Sequence, residues 1–284
     1  MKIANIKGRA HIVTPTGGID IEAASEGKFS ADSQRIIAQL DSLKAWYEQS
    51  RPAEDPSLST DKLQEDLTRL EAPVPHPNQV FAVGLNYKAH TAEVGRALPA
   101  EPMIFTKFPS CIVGPGATVH LPADTVDWEV ELVVVIGKDG RNISKASALD
   151  HIAGFCVGQD ISERKLQKAN NPAQFSIAKS FEGFGPIGPW LTSADEVDMS
   201  HLRLTCEGGG EVLQDGNTEH MIFDVPTLIE YLSGICELRV GDIIFSGTPA
   251  GVGSGRTPPK FIEDGWVLES SIEGLGRLAN PFTK

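Results

Sequence analysis

The stretch Pro73-Val74-Pro75-His76-Pro77 divides this chain into two textures. Proline removes a backbone donor and biases the residue before it toward extended geometry, so no helix is expected to cross this point. Ahead of it, Ile36, Ile37, Leu40, Leu43 and Trp46 recur at helical spacing and predict a helix that Ser30 or Asp32 could cap. Arg51 to Thr60, with two prolines and two serines, reads as a loop, and Asp61 to Leu70 as a polar helical piece. Behind it, short apolar runs alternate with glycine and proline. Val80–Val83, Met103–Thr106, Glu129–Ile136, Ala153–Val157, Leu202–Glu207 and Ile243–Ser246 read as strands. Gly208-Gly209-Gly210 offers a hairpin turn, and residues 265–278 read as a further hairpin. One amphipathic helix is expected over Val225–Ile235, with Leu228, Ile229 and Leu232 on one face. Many short strands and few helices predict an α+β, β-rich fold, a roll or sandwich rather than a doubly wound sheet. The boundary is placed near residue 72, giving a small N-terminal domain, 1–72, and a β-rich domain, 73–284.

Composition narrows the function classes. At roughly 100–200 residues per domain, 284 residues make one large domain or one with a small attachment. That size buries about three quarters of the unfolded surface, so no stabilising metal or disulfide is required. Lys plus Arg number 25 against 38 Asp plus Glu, a formal charge of −13 that repels phosphate backbones and argues against nucleic acid. Cys111, Cys156, Cys206 and Cys236 form no CxxC pair, which disfavours zinc and redox chemistry. The longest purely apolar run, Leu132 to Ile136, is far short of the ~20 residues of a membrane helix. Met1 to Lys7 lack the apolar core of a signal peptide. A soluble, cytoplasmic protein is expected.

The chemistry concentrates in Asp127-Trp128-Glu129-Val130-Glu131, which leads into that apolar run. Residues two apart on a strand face the same side, so Glu129 and Glu131 project together. Two carboxylates held close in a partly buried place repel, and one takes up a proton unless a cation sits between them. A hard divalent ion suits such oxygen ligands, although two acids on a strand's outer face are also commonplace. Asp160 ends the apolar run 154–159 and could complete a three-carboxylate site, or instead cap a helix over Ser162–Gln167. If 86–93 is helical, His90 and Glu93 share a face, and the acid could orient the imidazole as a water-activating base. Gly183-Phe184-Gly185-Pro186-Ile187-Gly188 matches a dinucleotide fingerprint in letters, but Pro186 and Pro189 forbid the helix that motif requires. Gly247-Thr248-Pro249-Ala250-Gly251 lacks the lysine of a phosphate loop and reads as a tight turn near a site.

In order along the chain, these segments resemble the fumarylacetoacetate hydrolase family. The matching runs are F-A-V-G-L-N-Y-K-A-H at 81–90, E-P-M-I-F-T-K at 101–107, G-P-G at 114–116 and D-W-E-V-E-L-V-V-V-I-G at 127–137. Q-D-I-S-E-R-K-L-Q at 159–167, A-K-S-F-E-G-F-G-P-I-G-P at 178–189 and G-D-I-I-F-S-G-T-P-A-G-V-G at 241–253 continue it. The resemblance covers residues 73–284 and implies a mixed β-sandwich roll, a homodimer, and Mg2+ or Mn2+ on Glu129, Glu131 and Asp160. It further implies Lys179 beside the substrate's metal-bound oxygens, His90 with Glu93 as catalytic dyad on a mobile segment, and Lys107, Arg164, Gln167 and Thr248 around the pocket. Gln159, Glu163 and Lys165 depart from the family's usual N-D-V-S-A-R-D-L-Q, which leaves the substrate open.

The activity expected first is metal-dependent C–C bond hydrolysis of a small keto-acid substrate, an acylpyruvate or β-diketone, by water that His90 activates. The same metal site could instead decarboxylate oxaloacetate or isomerise a 2-hydroxy-dienedioate. A non-catalytic dimeric binding module is the alternative of another class.

Overall fold

Val130–Ile136 is buried along its whole length, and the fold is organised around it. The computed structural model describes all residues, 1–284. Val130, Leu132, Val134 and Ile136 point into a core shared with a second sheet, while Val133 and Val135 point into a core beneath the N-terminal helices. A strand covered on both faces needs an unbroken apolar run, which explains the sequence Leu132 to Ile136.

This strand pairs antiparallel with Ile152–Gln159 on one side and with Ile243–Phe245 on the other. Ile243–Phe245 then runs parallel to Val80–Gly84, which pairs antiparallel with the edge strand Met103–Thr106. On the far side of Ile152–Gln159 lies Gly185–Ser193, followed by Lys2–Ile6, Arg9–Val13 and Gly18–Asp20. The result is a mixed eleven-stranded sheet. A five-stranded sheet, in the order Glu211–Asn217, Arg203–Gly208, Val267–Ile272, Gly276–Thr283 and Val119–His120, covers its other face. The architecture is β-rich, with open sheets and few helices. The two longest helices, Leu40–Ser50 and Val225–Ile235, have 11 residues each. No helix is long and apolar enough to cross a membrane.

The N-terminal 72 residues contribute strands to this same sheet, through Lys2–Ile6 on Gly185–Ser193 and Leu70–Glu71 on Lys2–Ile6. The hairpin Lys2–Ile6/Arg9–Val13 has no expectation in the sequence, where its alternation is broken by polar residues that tertiary packing buries. The expected helix starts at Ser33, with Asp32 accepting from Gln34 N. It tightens at Ile37–Gln39 and continues to Ser50. The polar piece is shorter than expected, a helix over Thr60–Glu65 and a turn over Leu67–Arg69, because Leu70 pairs with Ile6 in the sheet.

One element lies outside the sequence reading and one corrects it. Gly185–Ser193, the segment bearing the glycine-rich pattern, is a nine-residue central strand despite Pro186 and Pro189. Its pairing with Ile152–Gln159 breaks register between Phe155 and Val157, opposite the Gly188–Thr192 stretch, and that irregularity accommodates Pro189, which lacks a donor. The helix expected over Ser162–Gln167 begins only at Arg164, and Glu163 caps it by accepting from Lys165 N and Leu166 N. Asp160 is therefore not the cap, and its carboxylate is turned elsewhere.

Candidate active site

Glu131 lies on the odd-numbered face of the central strand and Glu129, the residue before that strand begins, continues the same alternation, where the core of Val133 and Val135 gives way to polar side chains. Glu131 stands opposite Gly158 on the neighbouring strand, and Asp160, two residues on, reaches the same face. Asp160 N donates to Glu129 O at 2.9 Å and ties the two strand ends together. One carboxylate oxygen from each of Glu129, Glu131 and Asp160 lies within 4.8 Å of the others. Metal–oxygen bonds of ~2.0–2.6 Å place two ligand oxygens at most about 5 Å apart, so the three could hold one divalent ion. All three residues are buried.

The charge between these acids is supplied by buried cations. Lys179 Nζ donates to Glu129 Oε2 and to Asp160 Oδ2, both at 2.6 Å. Lys107 Nζ donates to Asp160 Oδ1 at 2.8 Å and to the backbone carbonyls of Lys179 and Phe184. All three ammonium protons of Lys107 thus face protein acceptors, and it braces Asp160 and the Lys179 segment. Arg164 donates from Nη2 to Glu129 Oε1 at 2.6 Å, from Nε to Asp127 Oδ2 at 2.7 Å and from Nη1 to Gln167 Oε1 at 3.1 Å. Asp127, Glu129 and Asp160 are matched by Lys107, Arg164 and Lys179, three against three. Glu131 is the remaining acid.

That imbalance sets the protonation states. Burial alone would raise Glu129, but Lys179 and Arg164 outweigh it and hold the carboxyl well below its ordinary value. Burial lowers Lys179 less than Asp160 and Glu129 raise it, so it stays an ammonium. Glu131 goes the other way: burial first, then repulsion from Asp160 and Glu129, push it well above the ordinary 4.5, with only the Gly247 N–H, at 2.7 Å, on its carboxylate. A raised native value means that the folded chain binds a proton which the unfolded chain has released. Stability from this group is therefore complete below about pH 4.5 and is lost as pH rises toward the native value. Glu131→Gln, which removes the ionisable oxygen but keeps the shape, is expected to raise the metal-free melting temperature near pH 8 and to abolish stabilisation by Mn2+. Differential scanning calorimetry with and without Mn2+ reads both effects, and equal Mn2+ stabilisation of variant and parent would contradict the assignment.

His90 and Glu93 lie on the short helix Lys88–Glu93, which sits beside the acids: His90 acts on the charge of Glu129, and Glu131 on that of Tyr87 at the helix's N-cap. His90 Nδ1 is 3.2 Å from Glu93 Oε2, and both Glu93 oxygens accept from Gly251 N at 3.0 and 3.2 Å. Gly251 has φ +110°, and a Cβ there would meet Leu213 O at 2.3 Å, so only glycine presents its N–H in this way. Thr248 donates to Val130 O at 2.9 Å and accepts from Gln214 Nε2 at 2.7 Å, which pins the same loop to the central strand.

The structure brings all ten residues expected from the sequence into one region, but it uses them unequally. Glu129, Glu131, Asp160 and Lys179 form one cluster, and His90 is near enough to Glu129 to act on its charge. Lys107, Arg164, Gln167 and Thr248 are committed to protein partners. Gln159 turns to the opposite side, accepting from Glu129 N and donating to Ser270 Oγ at 2.7 Å. Sequence reasoning assigned nothing to Asn86, whose amide bridges Phe223 O and Ser246 O, or to Asp127. The period-two spacing Asp127, Glu129, Glu131 was the signal available for the latter.

A family model described as fumarylacetoacetate (FAA) hydrolase C-terminal matches residues 79–283. This chain belongs to the fumarylacetoacetate hydrolase family. The oxaloacetate tautomerase FAHD2A of Homo sapiens, a protein named as mitochondrial, is 45% identical over 212 residues, covering 74% of this chain and 68% of the relative. A fumarylacetoacetate hydrolase from psychrophilic Exiguobacterium antarcticum superposes with a TM-score of 0.81 at 32% identity, over 100% of this chain and 99% of that one. The 2-hydroxyhepta-2,4-diene-1,7-dioate isomerase of Mycobacterium marinum gives a TM-score of 0.66 at 39% identity over 76% and 77% of the two chains. Members of the fumarylacetoacetate hydrolase family are enzymes, and its enzymes commonly use a divalent metal, which a buried trio of carboxylates such as this one could hold.

Proposed function

We propose that this protein is a divalent-metal-dependent enzyme that shifts a proton within a 2-oxo dicarboxylic acid, a tautomerase or isomerase of oxaloacetate-like or 2-hydroxy-dienedioate substrates. The observation that carries this reading is the buried trio Glu129, Glu131 and Asp160 with the Lys179 ammonium 2.6 Å from two of them and the His90–Glu93 pair above. The relatives named for oxaloacetate tautomerisation and for dienedioate isomerisation support this outcome over the C–C hydrolysis expected first.

Mg2+ or Mn2+ held by Glu129, Glu131 and Asp160 would supply Lewis-acid polarisation of the substrate's keto and carboxylate oxygens. The Lys179 ammonium stands beside the place of those oxygens and stabilises negative charge that develops there as a proton leaves carbon. Glu93 accepts from His90 Nδ1–H, which leaves Nε2 as the base. His90 takes the proton from carbon and returns it to the enol oxygen, or runs the transfer in reverse, with no other bond broken. The buried position of His90 limits the water that could compete for that proton.

Hydrolysis is the second reading, because the His90–Glu93 pair could equally draw a proton from water, and the Exiguobacterium antarcticum relative carries the hydrolase name. The test follows the ultraviolet absorbance of enol-oxaloacetate with Mg2+ and with EDTA, beside cleavage of acylpyruvates. Metal-dependent loss of the enol signal, abolished by chelation, is the expected result. Acylpyruvate cleavage without any effect on the enol–keto rate would overturn the proposal in favour of hydrolysis.

A further inference from the structure

Asp127 has no exposed surface and accepts four hydrogen bonds. Trp128 N at 2.8 Å and Gly253 N at 2.7 Å donate to Oδ1, while Ser254 N at 2.9 Å and Arg164 Nε at 2.7 Å donate to Oδ2. Two of these donors belong to the loop whose Gly251 N–H holds Glu93. A third belongs to the guanidinium whose other arm holds Glu129 Oε1 at 2.6 Å. The loop is further seated by Trp128, whose Nε1 donates to Gly251 O at 3.0 Å and whose ring lies under the Arg256 guanidinium at 5.3 Å. Beyond Gly251, Gly255 lies so close to Glu93 that a Cβ there would come within 2.8 Å of its Cγ. A continuous chain of contacts therefore runs from His90 through Glu93 and Gly251 to Asp127, and on through Arg164 to Glu129.

We infer that Asp127 is a positioning residue that couples the orientation of Glu129 to the docking of the helix carrying His90. The inference rests on the proposed metal site for its functional meaning, but its structural half does not. Arg164 can hold Glu129 in one orientation only while Asp127 fixes its Nε side, and the Gly251 N–H meets Glu93 only while Asp127 holds Gly253 and Ser254. Coupling free energy of this kind is reciprocal, so what strengthens one end tightens the other.

Asp127→Asn keeps the shape and turns an amide N–H2 toward donors on one side. In the metal-free variant, amide hydrogen exchange is expected to quicken at both 251–254 and 88–93. Mn2+ affinity by isothermal titration should fall about 10- to 100-fold, the scale found when a group bracing a metal ligand is lost. Turnover should fall in kcat more than in KM, and Asp127→Glu should recover part of the Mn2+ affinity. Faster exchange at 251–254 with 88–93 unchanged would overturn the coupling, as would unchanged Mn2+ affinity. If the variant does not fold, Arg164→Met removes the guanidinium that links Asp127 to Glu129, together with its bond to Gln167, and leaves the bonds of Asp127 to Trp128, Gly253 and Ser254 in place. Mn2+ is expected to slow exchange at 251–254 in the parent and not in this variant, and an equal Mn2+ effect in both would overturn the inference. A parent protein that binds no Mn2+ would refute the metal reading, while exchange at 88–93 in metal-free Asp127→Asn would still decide the role of Asp127.

Discussion

Lys179→Met is expected to cost the metal-free protein about 3–5 kcal/mol, the scale for removing one partner of a buried ion pair. The ammonium stands between Glu129 and Asp160 at 2.6 Å from each, and nothing apolar of similar length can satisfy two buried carboxylates. For chains somewhat smaller than this one, each kcal/mol corresponds to roughly 2–4 °C in melting temperature, so the deficit is visible in a simple thermal scan. Mn2+ should recover much of it, because a divalent ion among the same oxygens replaces the lost charge. The deficit also depends on pH. Glu129 is held below its ordinary 4.5, so its contribution is present above that value and is lost as pH falls through the lower native one. Parent and variant should therefore differ most near neutrality and converge in acid. In the metal-loaded enzyme, turnover should drop about 10²–10³-fold, as when one donor to developing negative charge is removed. A variant as stable as the parent at pH 7 without metal would show that the three-against-three balance of buried charge is misread.

His90→Ala should lower turnover by about 10²–10⁴-fold, the contribution of a positioned general base. The imidazole is buried, and its one polar contact in the protein is Glu93. Its loss should hardly affect metal affinity. Added imidazole should restore part of the rate, since the cavity left by the ring has the shape of the missing base, whereas a purely structural defect would not respond. Oxaloacetate tautomerisation and acylpyruvate cleavage should be measured side by side. Loss of both assigns His90 to a proton transfer that the two reactions share. Loss of cleavage alone would assign it to activating water and pass the tautomerase proton to another group. Glu93→Gln tests the same pair from its other member, since the amide can present an N–H2 to His90 Nδ1 where a carboxylate accepted.

The turn at Gly208-Gly209-Gly210, the helix over Val225–Ile235 and the common face of Glu129 and Glu131 were all legible in the amino-acid order. Each depends on a period of 2 or 3.6 residues or on a residue's own torsional freedom, and those act over a few neighbours. The ordered motifs, taken as a resemblance, carried the family and pointed to ten candidate residues, which the fold brings into one region. The nine-residue strand Gly185–Ser193 was not legible, because its two prolines are tolerated only where the register of a distant neighbour breaks. Nor was the pairing of Lys2–Ile6 with that strand, nor which protein acceptors Lys107 and Arg164 bind. The alternation along Asp127-Trp128-Glu129-Val130-Glu131 determined which acids share a face; tertiary structure alone decided which of them is pushed toward its protonated form. Lys179 lies 50 residues from Glu129 in the chain, and only burial in a common low-dielectric interior makes their charges, and the want of a cation for Glu131, count.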